Sequence, residues 1–439
     1  MSRRVVVIGG GIGGATAALR LRQAGADVVL LEAAARLGGL VASFEVNGTP
    51  LECFYHHVFP HERAIRGLVD EMGLTARLDW RTSSIGVYTG GRVWPFTTPV
   101  DLLRFRPLSL VDRLRAGLAA VRLPRVRDWE ALDGVSAAEW LAAASGPQVA
   151  ALVWDPLLAQ KFGTAAADVP AAWMWGRFTQ RAGAHTNPFS RERLGYLRGG
   201  FRQLFDALHA RLASLGVDVR LDARASAIDV EGGHAAGVAA GGERIEADAV
   251  LYAGTLPGLT PLVPAEVADP RWAAIGGLGA MCVVVEMRGP LQDLYWVNVC
   301  DATLPFGGII EQTNLVPAAD YGGRHVAYLS RYFTADEPIA SCDLAAEANR
   351  WVAVLSDRFG LGPDDIVGVH PFRTPYAAPL VTLGYRARIP PERSSVTGLY
   401  VATTAQIYPQ DRGMNEGVLA GSRVAEAIGA DLRLAGSPV

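Results

Sequence analysis

Val5-Val6-Val7-Ile8-Gly9-Gly10-Gly11-Ile12-Gly13-Gly14 opens the chain and decides its architecture. The four apolar residues form the run expected of a strand buried on both faces. A glycine cluster with GxGxxG spacing follows, then Ala15 to Gln23 at helical spacing and a stop at Gly25. A second apolar run, Asp27 to Leu31, ends at Glu32. Each part has a physical use. Gly9 permits a tight turn, Gly11 lets backbone approach a pyrophosphate, and Gly14 allows close contact between helix and strand. The helix that follows turns its N-terminus toward negative charge. Glu32 sits at the tip of the second strand, where a carboxylate can accept both hydroxyls of a ribose. The pattern predicts a dinucleotide site; an ordinary glycine-rich turn would not have strand, helix and acid in register.

The rest of the 439-residue chain is half hydrophobic and 19% charged, which excludes a disordered or collagen-like protein and allows a large core. A net charge of −3 gives no electrostatic footprint for nucleic acid. Cys53, Cys282, Cys300 and Cys342 lie far apart without a CxxC, so they read as reduced thiols of a cytoplasmic protein. No apolar run reaches the roughly 18 residues of a membrane span. Forty of the 41 basic residues are arginine, and Lys161 is the single lysine.

Glu32-Ala33-Ala34-Ala35-Arg36-Leu37-Gly38-Gly39 resembles the ExxxRxGG extension of the flavin amine oxidase and protoporphyrinogen oxidase superfamily. The resemblance implies FAD. It gives Arg36 the task of supplying charge along the pyrophosphate, while Gly38 and Gly39 let backbone pass under the ring system. Leu194 to Gly200, the amphipathic helix Phe201 to Leu215 and the strands Val217–Leu221, Ala225–Val230 and Ala247–Ala253 resemble the second FAD-contacting segment of that superfamily. There the backbone at the position of Ala225 meets the adenine. The strand Gly398–Ala402 and a helix from Gly413 to about Ile428 resemble its third. Arg412, Gly413 and Met414 match positions at the flavin N1–C2=O edge. Thr403-Thr404 replaces the Gly-Asp of many relatives, which leaves Asp411 as the substitute acceptor for the ribityl chain.

The implied fold is α/β. A Rossmann-like FAD-binding domain of the glutathione-reductase type is assembled from 1–80, 195–258 and 385–439. A mixed α+β substrate-binding domain is built from 81–194 and 259–384. The cluster Gly277-Leu278-Gly279 lacks a third glycine and precedes a strand-like run, so no second dinucleotide domain is expected. Reduced flavin must then pass electrons to O2 or an external acceptor, unless the reaction is redox-neutral. The resemblance implies an oxidoreductase that takes hydride from a substrate C–H to flavin N5. The alternative is an isomerase like UDP-galactopyranose mutase, which has a similar His-bearing stretch.

Candidate chemistry lies between the FAD segments. His56 and His57 belong to the dense cluster Tyr55–Glu62, with His57 as proton carrier or flavin contact. Pro60 interrupts any helix that would align His57 with His61 for a metal. Lys161 marks a site needing a compact ammonium rather than a fork, or a structural ion pair. Glu311, alternating with Ile309 and Thr313, is a general base if that face meets the flavin, and a strand-edge acid otherwise. Arg92 and Trp94 belong to a stretch resembling the GRxxP strand of protoporphyrinogen oxidases and sugar mutases. Tyr295, Tyr328, Tyr332, Tyr376 and Tyr385 are candidate cavity walls or core residues. Asp101 to Arg127 carries seven arginines against two aspartates, a net of +5. Its stripe of Leu110, Val111, Leu114, Leu118 and Val121 either packs in the core under a solvated charged face or touches anionic lipid; its charge could also steer an anionic substrate.

Overall fold

The computed structural model describes residues 3–183 and 191–434. The opening strand Arg4–Ile8 lies at the centre of a five-stranded, wholly parallel sheet. Asp27–Leu31 and Asp218–Arg220 flank it on one side, Ala249–Tyr252 and Leu399–Val401 on the other. Three well-separated stretches of chain therefore build one sheet. Val5, Val6 and Val7 are wholly buried, as a strand covered on both faces requires. The helix Ile12–Gln23 starts three residues earlier than its apolar spacing predicts, because the glycine turn itself supplies the first helical positions.

A three-stranded antiparallel sheet, Ala225–Glu231, His234–Ala240 and Glu243–Glu246, lies beside this unit. The second large element is a seven-stranded mixed sheet. Its order is Ile366–Pro379, Gly277–Met287, His325–Phe333, Gly308–Glu311, Trp296–Val299, Ile85–Thr89 and Arg92–Pro95. Gly277–Met287 is thus a central strand rather than a phosphate turn. The hairpin 85–95, which contains the Arg92–Trp94 stretch read as a strand, joins this sheet through parallel pairing of Ile85–Thr89 with Trp296–Val299.

The two faces of the seven-stranded sheet have different partners. Cys282, Val284, Ile310 and Tyr328 share a core with the parallel-sheet unit. Met281, Val283, Ile309 and Leu329 pack instead with Trp351 and Leu355 of the helix Leu344–Phe359. That division fixes which side chains can reach a ligand held by the parallel sheet.

Candidate functional site

Ligands of open parallel sheets bind beyond the carboxyl ends of the strands. At that edge, Gly9 adopts φ +109°, and a Cβ there would lie 2.9 Å from the Ala253 carbonyl oxygen. At Gly14 a Cβ would lie 1.9 Å from the Gly9 carbonyl oxygen, so any side chain would force helix and strand apart. Gly11 is different. A Cβ on it would meet only Gly39 Cα, 4.0 Å away, so its backbone borders open space. Gly38 N donates to Gly10 O at 3.0 Å, which draws the second glycine pair alongside the first. Glu32 is held at its strand tip by the amides of Gly10 and Ala34, at 2.7 and 2.8 Å. Ala223 N donates to Glu32 O, which brings the segment leading into Ala225 beside the acid. Ala33 and Arg36 are exposed, and Arg36 lies 3.6 Å from Asp206.

A second helix start faces the same region. The helix Met414–Leu432 begins after Gly413 and, like Ile12–Gln23, has no side-chain cap on its first amides. The two helices approach through glycines: a Cβ on Gly421 would lie 2.2 Å from Gly13 O. Asn415 accepts from Ala64 N at 3.0 Å and caps the helix Arg63–Glu71. One carboxylate oxygen of Glu416, Oε2, is buried without a hydrogen-bond partner, close to where a Cβ of Gly413 would sit. Burial raises both Glu416 and the neighbouring Glu62, the latter to about 7.

Between these helix starts and the seven-stranded sheet, four separated segments contribute half-buried polar side chains. Lys161 Nζ stands 3.1 Å from Asp411 Oδ2 and 4.5 Å from the Trp173 ring centre. Arg177 also pairs with Asp411. Arg181, one turn further along the helix Ala171–Gly183, lies 3.7 Å from Glu192. Arg412 donates to the Ala377 carbonyl and, at 3.1 Å, to the Tyr332 hydroxyl. Burial works against the Asp411 carboxylate, but Lys161, Arg177 and Arg412 outweigh it and hold its pKa below the usual range. Burial lowers the Lys161 ammonium more than Asp411 raises it. Burial also acts to raise Tyr332, yet Arg412 and Lys161 bring it below its ordinary value.

The loop Tyr55–His57 closes the space. Tyr55 makes edge contacts with Trp296 and Tyr328. His56 Nδ1 lies 2.6 Å from Phe54 O, and His57 Nδ1 lies 3.4 Å from the Tyr295 hydroxyl. Burial, with Arg412 nearby, lowers His56 to about 4. Burial, with Arg181, His56 and Arg177, lowers His57 to about 3. Both rings are neutral near pH 7, so His57 does not store a proton there; it can donate or accept one hydrogen bond.

Several sequence expectations are corrected. Glu311 shares the sheet face of Ile309, turned away from the parallel unit. Its two oxygens accept from Leu291 N and Gln292 N at 2.8 and 2.9 Å, so it pins a loop and is no base at the flavin. Tyr328 is wholly buried and donates to Glu52 O at 2.7 Å, and Tyr385 donates to Ala405 O at 2.8 Å, so both hydroxyls serve the core. Tyr376 is buried at 8% exposure. Trp94 packs edge-on to Phe105 and Arg92 stacks on Trp94, on the outermost strand of the sheet. Asp411 pairs with Lys161 and Arg177, which ties it to the cationic cluster. Tyr332 and Lys161 do meet at the site. Arg177, Arg181 and Glu416 were not foreseen; the i, i+4 pair Arg177/Arg181 beside Trp173 was the available signal.

The residues present suit an extended flavin dinucleotide: a bare backbone cradle at Gly11, an acid at the strand tip, and two uncapped helix starts. The fold and site define a flavin-dependent oxidoreductase. Residues 12–429 match the family described as flavin containing amine oxidoreductase, and the chain belongs to that family, with FAD as its cofactor. It is 29% identical over 313 residues to coproporphyrinogen III oxidase of Mycobacterium tuberculosis, covering 66% of this chain and 67% of that one. It is 28% identical over 330 residues to protoporphyrinogen oxidase of Bos taurus, covering 65% and 66%. Its fold is similar to that of a putative protoporphyrinogen oxidase from Exiguobacterium, with TM-score 0.79 at 18% identity over 98% and 99% of the two chains. It is also similar to that of reduced UDP-galactopyranose mutase, with TM-score 0.78 at 17% identity over 99% and 96%.

Proposed function

We propose that this FAD-dependent oxidoreductase removes hydride from a C–H of a small substrate bearing carboxylate or phosphate groups. The observation that carries this reading is the cluster of Lys161, Arg177, Arg181 and Arg412, four cations whose ion-pair carboxylates among the described residues are Asp411 and Glu192. An unbalanced positive charge in a half-buried space is costly unless an anion completes it. Bound FAD supplies a hydride acceptor at N5. The chain would seat its nucleotide with segments 1–80, 195–258 and 385–439, and would align substrate with 81–194 and 259–384. Gly9, Gly11, Gly13, Gly14 and Glu32 hold the dinucleotide; Gly38, Gly39 and the amides following Gly413 hold the rest. Arg177 and Arg181 fix the anionic group. Tyr55 and Trp296 exclude water, and neutral His57 orients a polar atom. A porphyrinogen, the substrate in the names of the curated relatives, carries several carboxylates and fits this charge pattern. O2 or an external carrier reoxidises the flavin.

Anaerobic mixing with carboxylate- and phosphate-bearing candidates tests the proposal. Bleaching of the flavin band by an anionic compound, with weaker binding in Arg181→Met, supports it. Bleaching by neutral amines alone overturns it. The second reading is a redox-neutral nucleotide-sugar isomerase. It is favoured by the spacing of Arg177 and Arg181 one helical turn apart, which suits a diphosphate. Turnover only after prior reduction of the flavin would select it.

A further inference from the structure

Two glutamates that the proposed function leaves unused meet at the start of the helix Met414–Leu432. Glu416 lies in its first turn. Its Oε1 accepts from Asn415 Nδ2 at 3.0 Å, and its Oε2 is buried with no hydrogen-bond partner. Glu62 follows the histidine loop and is 5% exposed. Its Oε2 accepts from Phe59 N at 2.7 Å, and its Oε1 accepts from Gln180 Nε2 at 3.4 Å. Both approach Gly413: a Cβ placed there would lie 2.6 Å from Glu416 Oε2 and 3.9 Å from Glu62 Oε1. The two carboxyl oxygens therefore border one small space, beside an uncapped helix start that suits the flavin dinucleotide.

The charged groups around this space are engaged elsewhere. On the helix Ala171–Gly183, Arg177 pairs with Asp411 and Arg181 with Glu192. Arg412 turns to Ala377 and Tyr332. Arg63 is exposed, and Arg66 donates to the Pro60 carbonyl. His61 stacks on Phe59, and burial lowers it from its ordinary value. The helix Ile12–Gln23 contributes uncharged Ile12 and Gly13 where it meets Gly417. Asp411 adds a third negative charge, which together with burial raises Glu416. Burial raises Glu62 to about 7, and Glu416 adds to the effect against the Phe59 amide. Two neighbouring carboxylates in a dry space without a cation do not both ionise; one keeps its proton.

We propose that Glu62 and Glu416 form a charge-compensating pair, which holds one proton while the flavin is oxidised and takes up a second from solvent when a hydride arrives. A hydride brings two electrons and one proton, so it leaves one added negative charge at the cofactor. The second proton converts the remaining carboxylate to an acid, and the net charge of the buried site is unchanged. When O2 or an external carrier removes the electrons, the pair returns that proton to solvent. The alternative, a new negative charge set beside an existing one in a half-buried space, is costly. The proposal rests on the flavin cofactor and is independent of the substrate proposed above.

Infrared difference spectra of the FAD-loaded protein, recorded during electrochemical reduction near neutral pH, test it without any substrate. The wild type should gain a carboxylic-acid C=O band that shifts in D2O and moves when the protein carries isotope-labelled glutamate. The band should be missing in the double variant Glu62→Gln/Glu416→Gln. The midpoint potential, followed by visible absorbance, counts the protons, since one proton in a two-electron couple is worth about 30 mV per pH unit. Between about pH 6 and about pH 8 the wild-type potential should fall more steeply than that of the double variant by this amount. Glu311→Gln removes another buried glutamate raised to about 7, on the far face of the seven-stranded sheet, and should keep the wild-type slope. If the double variant does not retain FAD, the wild-type infrared spectrum decides alone. Absence of the labelled-glutamate band from that spectrum would overturn the proposal. Equal slopes in the wild type and the double variant would overturn it too, and so would a slope lost equally in Glu311→Gln.

Discussion

Lys161 Nζ and Asp411 Oδ2 stand 3.1 Å apart, joining residues 250 positions distant in sequence at the centre of a cationic site. Asp411 is the acid that Lys161, Arg177 and Arg412 all face. Removing it leaves three cations without compensation in a half-buried space. Asp411→Ala should therefore lower stability by about 3 kcal/mol, measured by denaturant unfolding of the FAD-loaded protein. Lys161→Met should cost less, because Arg177 remains on Asp411. The Asp411 carboxylate is held below its unfolded value, so its contribution is complete above the ordinary carboxylate range. It fades as pH falls through the depressed folded value, and the two proteins should converge in stability only in strong acid.

The nucleotide cradle makes a steric prediction. A Cβ at Gly14 has no room, 1.9 Å from the Gly9 carbonyl, whereas a Cβ at Gly67 meets nothing within 4 Å. Gly14→Ala should yield protein that loses FAD, read as loss of visible absorbance after gel filtration. Gly67→Ala lies in the helix Arg63–Glu71 and should retain FAD while gaining about 0.5–1 kcal/mol from helix propensity. If both variants kept full flavin occupancy, the close approach of turn and strand would not be what seats the dinucleotide.

Glu311 separates a structural from a catalytic role. In Glu311→Gln, one of the two amides it serves, Leu291 or Gln292, would face an NH2 group. A stability loss of about 1–3 kcal/mol is expected from that unsatisfied donor. The rate of flavin reduction should change by less than about threefold, against the 100-fold or greater loss typical of a missing general base. A large kinetic loss with unchanged stability would return Glu311 to the chemistry.

How much of this was legible from sequence follows from the range of each signal. The opening strand, glycine turn, helix and Glu32 are local, and their spacing is itself the geometry. Glu311 was misplaced because alternation assigns residues to faces without saying which face meets the ligand. Tyr328 and Tyr385 looked available because the carbonyls that occupy their hydroxyls, Glu52 and Ala405, are contributed by distant or unpatterned segments. Arg177 and Arg181 were hidden by abundance, since arginine supplies 40 of 41 basic residues and only their i, i+4 spacing beside Trp173 sets them apart. Lys161 stood out for the opposite reason. The stripe from Leu110 to Val121 was visible as a stripe, but amphipathicity is silent on whether its apolar side turns in or out.

The histidine loop gives a prediction whose sign is opposite to that of the buried glutamates. Folding lowers His57 to about 3, so between that value and 6.5 the unfolded chain binds a proton that the native protein does not. His57 therefore makes the native state less stable as pH falls below 6.5, by about 1.4 kcal/mol per unit. Glu52 and Glu62, raised to about 7 by burial, act the other way. They bind protons in the native state first, and their contribution is lost as pH rises toward 7. Net stability over this window thus mixes both kinds of group, and only a difference isolates one. His57→Gln keeps a hydrogen-bonding side chain and removes the titration. Relative to wild type, its unfolding free energy should rise by about 2 kcal/mol between pH 7 and pH 5. A flat difference across that range would mean that His57 is charged in the folded protein, and the neutral-ring role given to it at the site would fall with that result.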